Sequence, residues 1–337
     1  MTNQATYQAK IISCGATTPL GETAEISFAK LQSSMVAPER FMVDEDNSLL
    51  INKISDEILI NLPEKIQELG MHPKYQRMLK IAAMAFYDNA QKIRIETPTP
   101  LFLGLPDEES IAAKEEQATL IPWLNKLTGN LIDTQQSKIL PFGRASGLMA
   151  LHEGINHLNQ FDVPFVLVGA VDSYQDIRLL NYLYEERIAY SPDNHDGMIP
   201  SEGAVFIAIS KQGPDSKPSV LDIQSSDKQE QPNDQFAEMI KQMLPIDGVE
   251  INCLYPPFNG EDKWIFEWGQ CMSEIREILA PETPVQVPAF LIGDMGSAFS
   301  LFSLCYAADS IENGFTYGAT IICTGSDGPL RSCAIVA

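Results

Sequence analysis

Short apolar, β-branched runs alternate along this chain with stretches whose apolar positions recur every three to four residues, a pattern that predicts an α/β fold. Residues 10–15 read as a first strand ending in a glycine turn, and residues 24–32 as a helix. Residues 75–93 carry helical periodicity, with Met78, Ile81, Ala82, Ala85 and Phe86 on one side. A short strand is expected at 98–104, a helix at 146–159, and buried strands at 164–170 and 204–209. Residues 212–217, with Gly213, Pro214 and Asp215, form the clearest linker.

After that linker the plan restarts. Residues 219–223 and 249–254 read as strands, 235–243 as a helix and 297–311 as a long apolar helix; strands at 319–323 and 333–336 close the chain. The restart suggests a duplicated βα unit, an N-terminal half at 1–215 with cap insertions and a C-terminal half at 216–337, packed as one unit. Residues 225–234 are polar and read as a loop.

Composition narrows the function classes. Acidic residues number 45 against 23 basic ones, a formal charge of −22, so a phosphate backbone would be repelled and nucleic acid is excluded as a partner. No run of about 18 apolar residues is present to span a membrane. The first ten residues are polar and lack the basic-then-apolar shape of a signal peptide, which points to the cytoplasm. The six cysteines are scattered without a C-x-x-C pair, mostly within apolar runs. They read as buried free thiols, not as metal ligands or a disulfide framework.

Candidate chemistry begins at Pro141-Phe142-Gly143-Arg144-Ala145-Ser146-Gly147-Leu148-Met149-Ala150-Leu151-His152. This segment resembles the β-ketoacyl synthase pattern Ala-Cys-Ser-Ser-Ser-Leu-x-Ala-Leu-His, with Arg144 where the nucleophilic cysteine would stand. Residues 13–21 resemble the first strand and turn of that family. Residues 168–173, Val-Gly-Ala-Val-Asp-Ser, resemble its Gly-Gly-x-(Glu/Asp)-Ser strand end. Residues 196–204, Asp-Gly-Met-Ile-Pro-Ser-Glu-Gly-Ala, resemble its Asp-Gly-Phe-Val-x-Gly-Glu-Gly-Ala. The chain is thus similar to the thiolase superfamily, nearest the β-ketoacyl synthases. The resemblance implies a five-layered α-β-α-β-α fold of two related halves. It also implies a homodimer in which the strand near 164–170 pairs across a two-fold axis.

The resemblance also says what condensing chemistry would need: a thiolate at a helix N-terminus and two imidazoles in the C-terminal half. A guanidinium stays protonated and cannot accept an acyl group. The four histidines are His72, His152, His157 and His195, so none reaches either C-terminal position. Matching the motifs puts Leu254 and Asp294 there, and Ala289 or Phe290 where the family lysine would fall. Without a base, Cys323 and Cys333 read as core residues.

Ser146 is the remaining nucleophile candidate, with N-cap or packing duty as the plainer reading. Its nearest histidine, His152, lies nearly two turns down the same helix. His152 and His157 are five residues apart, about 140° around a helix, which argues against zinc. Asn259-Gly260-Glu261 followed by Glu267-Trp268-Gly269 resembles a signature of a divergent, histidine-lacking branch of ketosynthase-like proteins. Trp264 and Trp268 share a helix face there, either as aromatic core or as a rim plugging an ancestral acyl pocket.

Arg144, Ser146, Phe142, Asn259 and Asp294 are therefore the expected pocket residues. Arg144 has two readings: a buried ion pair with Asp294, or an open cleft that binds an anion. No cofactor is implied. The first functional expectation is a catalytically silent, protein-binding scaffold or accessory subunit. The resemblance associates such proteins with bacterial secretion loci, particularly type VI effector loading, or with the chain-length-factor partners of active ketosynthases. The alternatives are an acyltransferase or acyl-thioester hydrolase with non-standard catalytic residues, using Ser146 or a water, and an acyl-ligand binder without turnover.

Overall fold

Described in the computed structural model are residues 8–34, 38–67, 70–228, 234–244, 246 and 249–337. The polar start at 1–7 and residues 229–233 of the expected loop lie outside them. Strand β1 (Ala9–Thr17) leads into α1 (Ala24–Gln32), capped by the Thr23 hydroxyl. The hairpin β2 (Glu39–Met42) and β3 (Ser48–Ile51) follows, then α2 (Glu64–Gln67), α3 (Pro73–Ala90), β4 (Leu101–Gly104), α4 (Ile111–Leu127) and β5 (Lys138–Leu140). A 3-10 turn (Gly143–Ala145) opens α5 (Ser146–Gln160), followed by β6 (Val166–Ser173), α6 (Ile177–Glu185) and β7 (Glu202–Ser210). The later elements are β8 (Ser219–Ser226), α7 (Gln235–Met243), β9 (Ile251–Tyr255), α8 (Asp262–Ile275) and α9 (Ala289–Ile292). A second 3-10 turn (Gly296–Ala298) then opens α10 (Phe299–Glu312), and β10 (Ala319–Gly325) and β11 (Arg331–Val336) complete the fold.

Nine strands join in the order β5-β4-β6-β7-β1-β8-β11-β10-β9. The join between the two groups is narrow, at Ala9–Val220 and Lys10–Ser219. Strand alternation sends each residue to one of two faces, and the core divides accordingly. Val166, Val168 and Ala170 of β6, and Val205, Ile207 and Ile209 of β7, pack with Leu148, Leu151 and Ile155 of α5 and with α10. Ala334 and Val336 of β11 and Ile322 of β10 meet the same helices from the other side. Outward-facing Leu167, Phe206 and Ala208 pack against α3 and α4. Ile321, Cys323, Cys333 and Ile335 pack against α7 and α8. The result is five layers, α-β-α-β-α. Helices α5 and α10 can cross in the middle because position 147 is glycine: a Cβ there would sit 2.6 Å from Ser300 Oγ and 3.0 Å from the Leu301 backbone nitrogen.

Most expected elements are present within a few residues. Three differ. Strand β6 pairs with β4 on one side and β7 on the other, so the 164–170 strand has no edge with which to cross a two-fold axis. The free edge at that end of the sheet belongs to β5. Ser225 and Ser226 extend β8 opposite Ser332 and Arg331, because a polar strand is held once its partner supplies the ladder. Helix α4 was not among the expected elements, and it contains Pro122, a residue that usually breaks a helix interior. Ser110 caps its N-terminus, and Leu120, Ile121 and Leu124 bury enough apolar surface to carry it. No described helix is long and apolar enough to cross a membrane.

Candidate functional site

Two tight turns build the site. Gly143, at φ +63°, lets the chain turn out of β5 and present Arg144 just before α5. The turn ahead of α10 packs directly on the first. There Gly296 has φ +53°, and a Cβ would fall 2.0 Å from Asp172 Oδ2. Asp172 accepts from the Ser297 N–H at 3.0 Å, and Asp294 Oδ1 from the Gly296 N–H at 2.8 Å. Two carboxylates thus occupy the amino end of α10, where unpaired N–H groups and the helix dipole favour negative charge.

Arg144 is 8% exposed and Asp294 is fully buried. Arg144 Nη2 donates to Glu261 Oε1 at 2.6 Å, and Arg144 Nε lies 2.8 Å from Asp294 Oδ2. The second contact is an ion pair rather than a directed hydrogen bond: neither Nε nor Nη1 has an acceptor in line. Asn259 Nδ2 donates to Glu261 Oε1 and Asp294 Oδ2, each at 2.8 Å, and so ties the two carboxylates together. Its Oδ1 accepts from the Glu261 N–H at 3.0 Å. Lys263 Nζ closes the outer side, 3.0 Å from Glu261 Oε2 and 2.8 Å from Asp327 Oδ1. Burial works against the Arg144 charge, but Asp294, Tyr174 and Glu261 outweigh it and raise the guanidinium pKa further.

Trp264 carries the site into a second ion pair. Arg144 lies 5.4 Å from its ring centroid and Arg331 lies 4.9 Å away. Arg331 is held by Glu267 through Nε–Oε1 at 2.6 Å and Nη2–Oε2 at 3.0 Å. Most of the Asn-Gly-Glu…Glu-Trp-Gly segment is thereby accounted for. Asn259 and Glu261 hold Arg144, while Gly260, at φ +114°, presses on Gly197, where a Cβ would meet its carbonyl oxygen at 2.4 Å. Glu267 holds Arg331, and Trp268 packs edge-on to Phe236 and Phe258. Both tryptophans are buried, Trp264 between cations and Trp268 in the core.

The other expected residues divide. Leu254 does not join the site; its side chain packs in the outer core with Phe236 and Trp268. Ser146 is fully buried and its hydroxyl is committed, donating to the Leu105 carbonyl at 2.6 Å and accepting from the Phe142 N–H at 2.9 Å. No histidine is among its partners; His157 packs between Phe102 and Phe161. Phe142 is at the rim, 40% exposed, with its carbonyl accepting from Ser326. Five cavities of about 310–560 Å³ are lined by other residues and lie away from Arg144. Glu261 was legible only as part of a signature. Its pairing with Arg144, 117 residues away, had no local signal.

No protein-family model and no curated protein matches this sequence. Solved structures do match in shape. The chain superposes with a TM-score of 0.75 on the ketosynthase from module 6 of the bacillaene synthase from Bacillus subtilis 168, at 14% identity, covering 97% of this chain and 71% of that one. It superposes at 0.72 on a ketosynthase in complex with its chain length factor from Xenorhabdus doucetiae, at 11% identity, covering 100% and 99%. The ishigamide ketosynthase/chain length factor gives 0.71 at 15% identity, covering 97% and 98%. The fold is that of the thiolase-like ketosynthases.

Within the ketosynthase fold, what stands on the turn before α5 is a cation already held by two carboxylates. It has no acyl-accepting atom. Asp294 and Glu261 are engaged with Arg144 and Asn259, so neither is placed as a free base. What the arrangement does is tie the turn before α5 to Asn259, Glu261 and Asp294, more than a hundred residues later in the chain.

Proposed function

We propose that the protein is a catalytically silent relative of the ketosynthases, acting as a protein-binding or accessory subunit. The carrying observation is the Arg144 clamp, a buried guanidinium held by Glu261 and Asp294 on the turn where the sequence resemblance puts the nucleophile. Assembly with a second chain is part of the reading, in a homodimer or beside an active partner. It is supported by the free edge of β5 and by likeness over full length to a structure in which a ketosynthase is bound to its chain length factor. The narrower role is that of an accessory protein of a bacterial secretion system, of the type VI effector-loading kind. It rests on the Asn259–Gly269 signature, in which Glu261 and Glu267 hold the two clamps.

The test is to incubate the purified chain with acyl-CoA and acyl-carrier-protein thioesters and follow intact mass and thiol release. Neither adduct nor hydrolysis above buffer is expected. Acylation or turnover that disappears in Ser146→Ala would overturn the reading in favour of acyl transfer. Light scattering on the same sample should give twice the 37.3 kDa chain mass if the subunit pairs with itself.

A further inference from the structure

Five of the six cysteines are buried, as the sequence suggested; Cys14 is the exception. It sits half-buried on β1, between buried Ser13 and Gly15. A cavity of about 310 Å³ opens over it, walled by Ile12 and Cys14 of β1, by Ala24 and Phe28 of α1, and by Cys305 and Ala308 of α10. Cys305 is 1% exposed. Strand β1 and α10 pack on each other, and Cys14 lies against the core cluster to which Cys305 belongs. The two thiols act on each other directly: burial first, and then the Cys14 side chain, push the Cys305 thiol well above its usual pKa.

Two thiols from opposite ends of the chain thus meet at one cavity wall. Cys323 and Cys333 are a contrasting pair. Their sulfurs are 3.1 Å apart across β10 and β11, yet both are buried and neither lines any of the five cavities. Around Cys14 the wall carries both signs. Lys92 Nζ donates to the Cys14 carbonyl at 2.7 Å and pairs with Glu25 at 2.6 Å, while Lys217 and Asp309 stand on the same wall. A small peptide of mixed charge meets no local repulsion there.

We propose that Cys14 and Cys305 form a thiol–disulfide exchange site, oxidised by a low-molecular-weight disulfide of the glutathione class to an internal disulfide that pins β1 to α10. In the first step the Cys14 sulfur attacks one sulfur of the small disulfide. Its S–S bond breaks, a mixed disulfide forms at Cys14, and the departing thiolate takes the proton that Cys14 gave up. In the second step the Cys305 sulfur attacks Cys14. The mixed disulfide breaks, the Cys14–Cys305 bond forms, and a second small thiol leaves with the Cys305 proton. Two protein thiols are oxidised by two electrons, and one small disulfide is reduced to two thiols. The order follows from access. The cavity leads a reagent to Cys14, whereas Cys305 is buried and hard to deprotonate, so the mixed disulfide accumulates before the internal one. The site shares no residue with the Arg144 clamp and stands independently of the silent-subunit reading.

The experiment treats the reduced full chain with glutathione disulfide and follows intact mass and proteolytic peptide maps. Expected first is one glutathionyl group on Cys14, then loss of two hydrogens with a Cys14–Cys305 linked peptide, reversed by excess reduced glutathione. Cys305→Ala should stop at the mixed disulfide. Cys14→Ser should take up no glutathionyl group and form no disulfide. Iodoacetamide labelling of the native parent chain needs no core variant to fold. It should alkylate Cys14 alone, and treatment with glutathione disulfide beforehand should block it. No reaction, a Cys323–Cys333 linkage in place of Cys14–Cys305, a mixed disulfide that never resolves in the parent chain, or labelling that spares Cys14 would each overturn the proposal.

Discussion

Replacing Arg144 with methionine tests the clamp most directly. Methionine keeps an unbranched apolar chain beside Trp264 and Met198 and removes only the charge and its hydrogen bonds. Asp294, fully buried, is then left with Asn259 Nδ2 and the Gly296 N–H but no counter-charge. Removing one partner of a buried ion pair costs about 3–5 kcal/mol, because the other charge stays desolvated. Glu261 adds less, since its side chain is 13% exposed and Lys263 remains beside it. At a urea slope of about 3 kcal/mol per M, the unfolding midpoint should fall by about 1–1.7 M. The assay is urea denaturation followed by tryptophan fluorescence and far-UV dichroism. Arg144→Met combined with Asp294→Asn should recover part of the loss, with a coupling of about 1–3 kcal/mol. A single-variant midpoint within about 0.2 M of the parent would refute the claim that the clamp stabilises the fold.

The second clamp predicts a similar cost. Glu267→Gln leaves Arg331 buried without its bidentate partner and should lower stability by about 3 kcal/mol or more by the same assay. Ser146→Ala orphans the Phe142 N–H and leaves the Leu105 carbonyl with the Gly143 N–H alone, and should cost about 1–3 kcal/mol while leaving acyl-thioester behaviour unchanged. Burial lowers the pKa of His157 from its usual 6.5 despite Asp133, so the folded state prefers the neutral ring. Its contribution is full above pH 6.5 and is lost as pH falls through the lowered value; melting curves between pH 7.5 and pH 5 should show that loss, and His157→Phe should flatten it.

Legibility in the sequence followed the range of the interaction. The strands that became β6, β7, β10 and β11 were readable because each is apolar on both faces, and helices on either side require that. Strand β5 was not, because three residues with one buried side chain carry no periodicity. The edge was consequently assigned to the wrong strand, since a buried interior strand and a buried interface strand look alike in one dimension. The Arg144–Asp294 pair was one of two readings that the resemblance left open. The grip of Glu261 and Asn259 was not, because a turn has no pattern that names its charge partner.

Sequence alone determined which side chains this protein can bring to its site. Arg144 stands in the segment that resembles the nucleophile motif and the last histidine is His195, and neither fact depends on how the chain folds. It also determined the α/β alternation, since periodicity is local and burial follows from it. Tertiary structure alone decided what those side chains do. It closed Arg144 between two carboxylates and bound the Ser146 hydroxyl to the backbone. The physical reason is that a buried charge must find its partner in space, and the cost of leaving it unpaired acts across more than a hundred residues of chain.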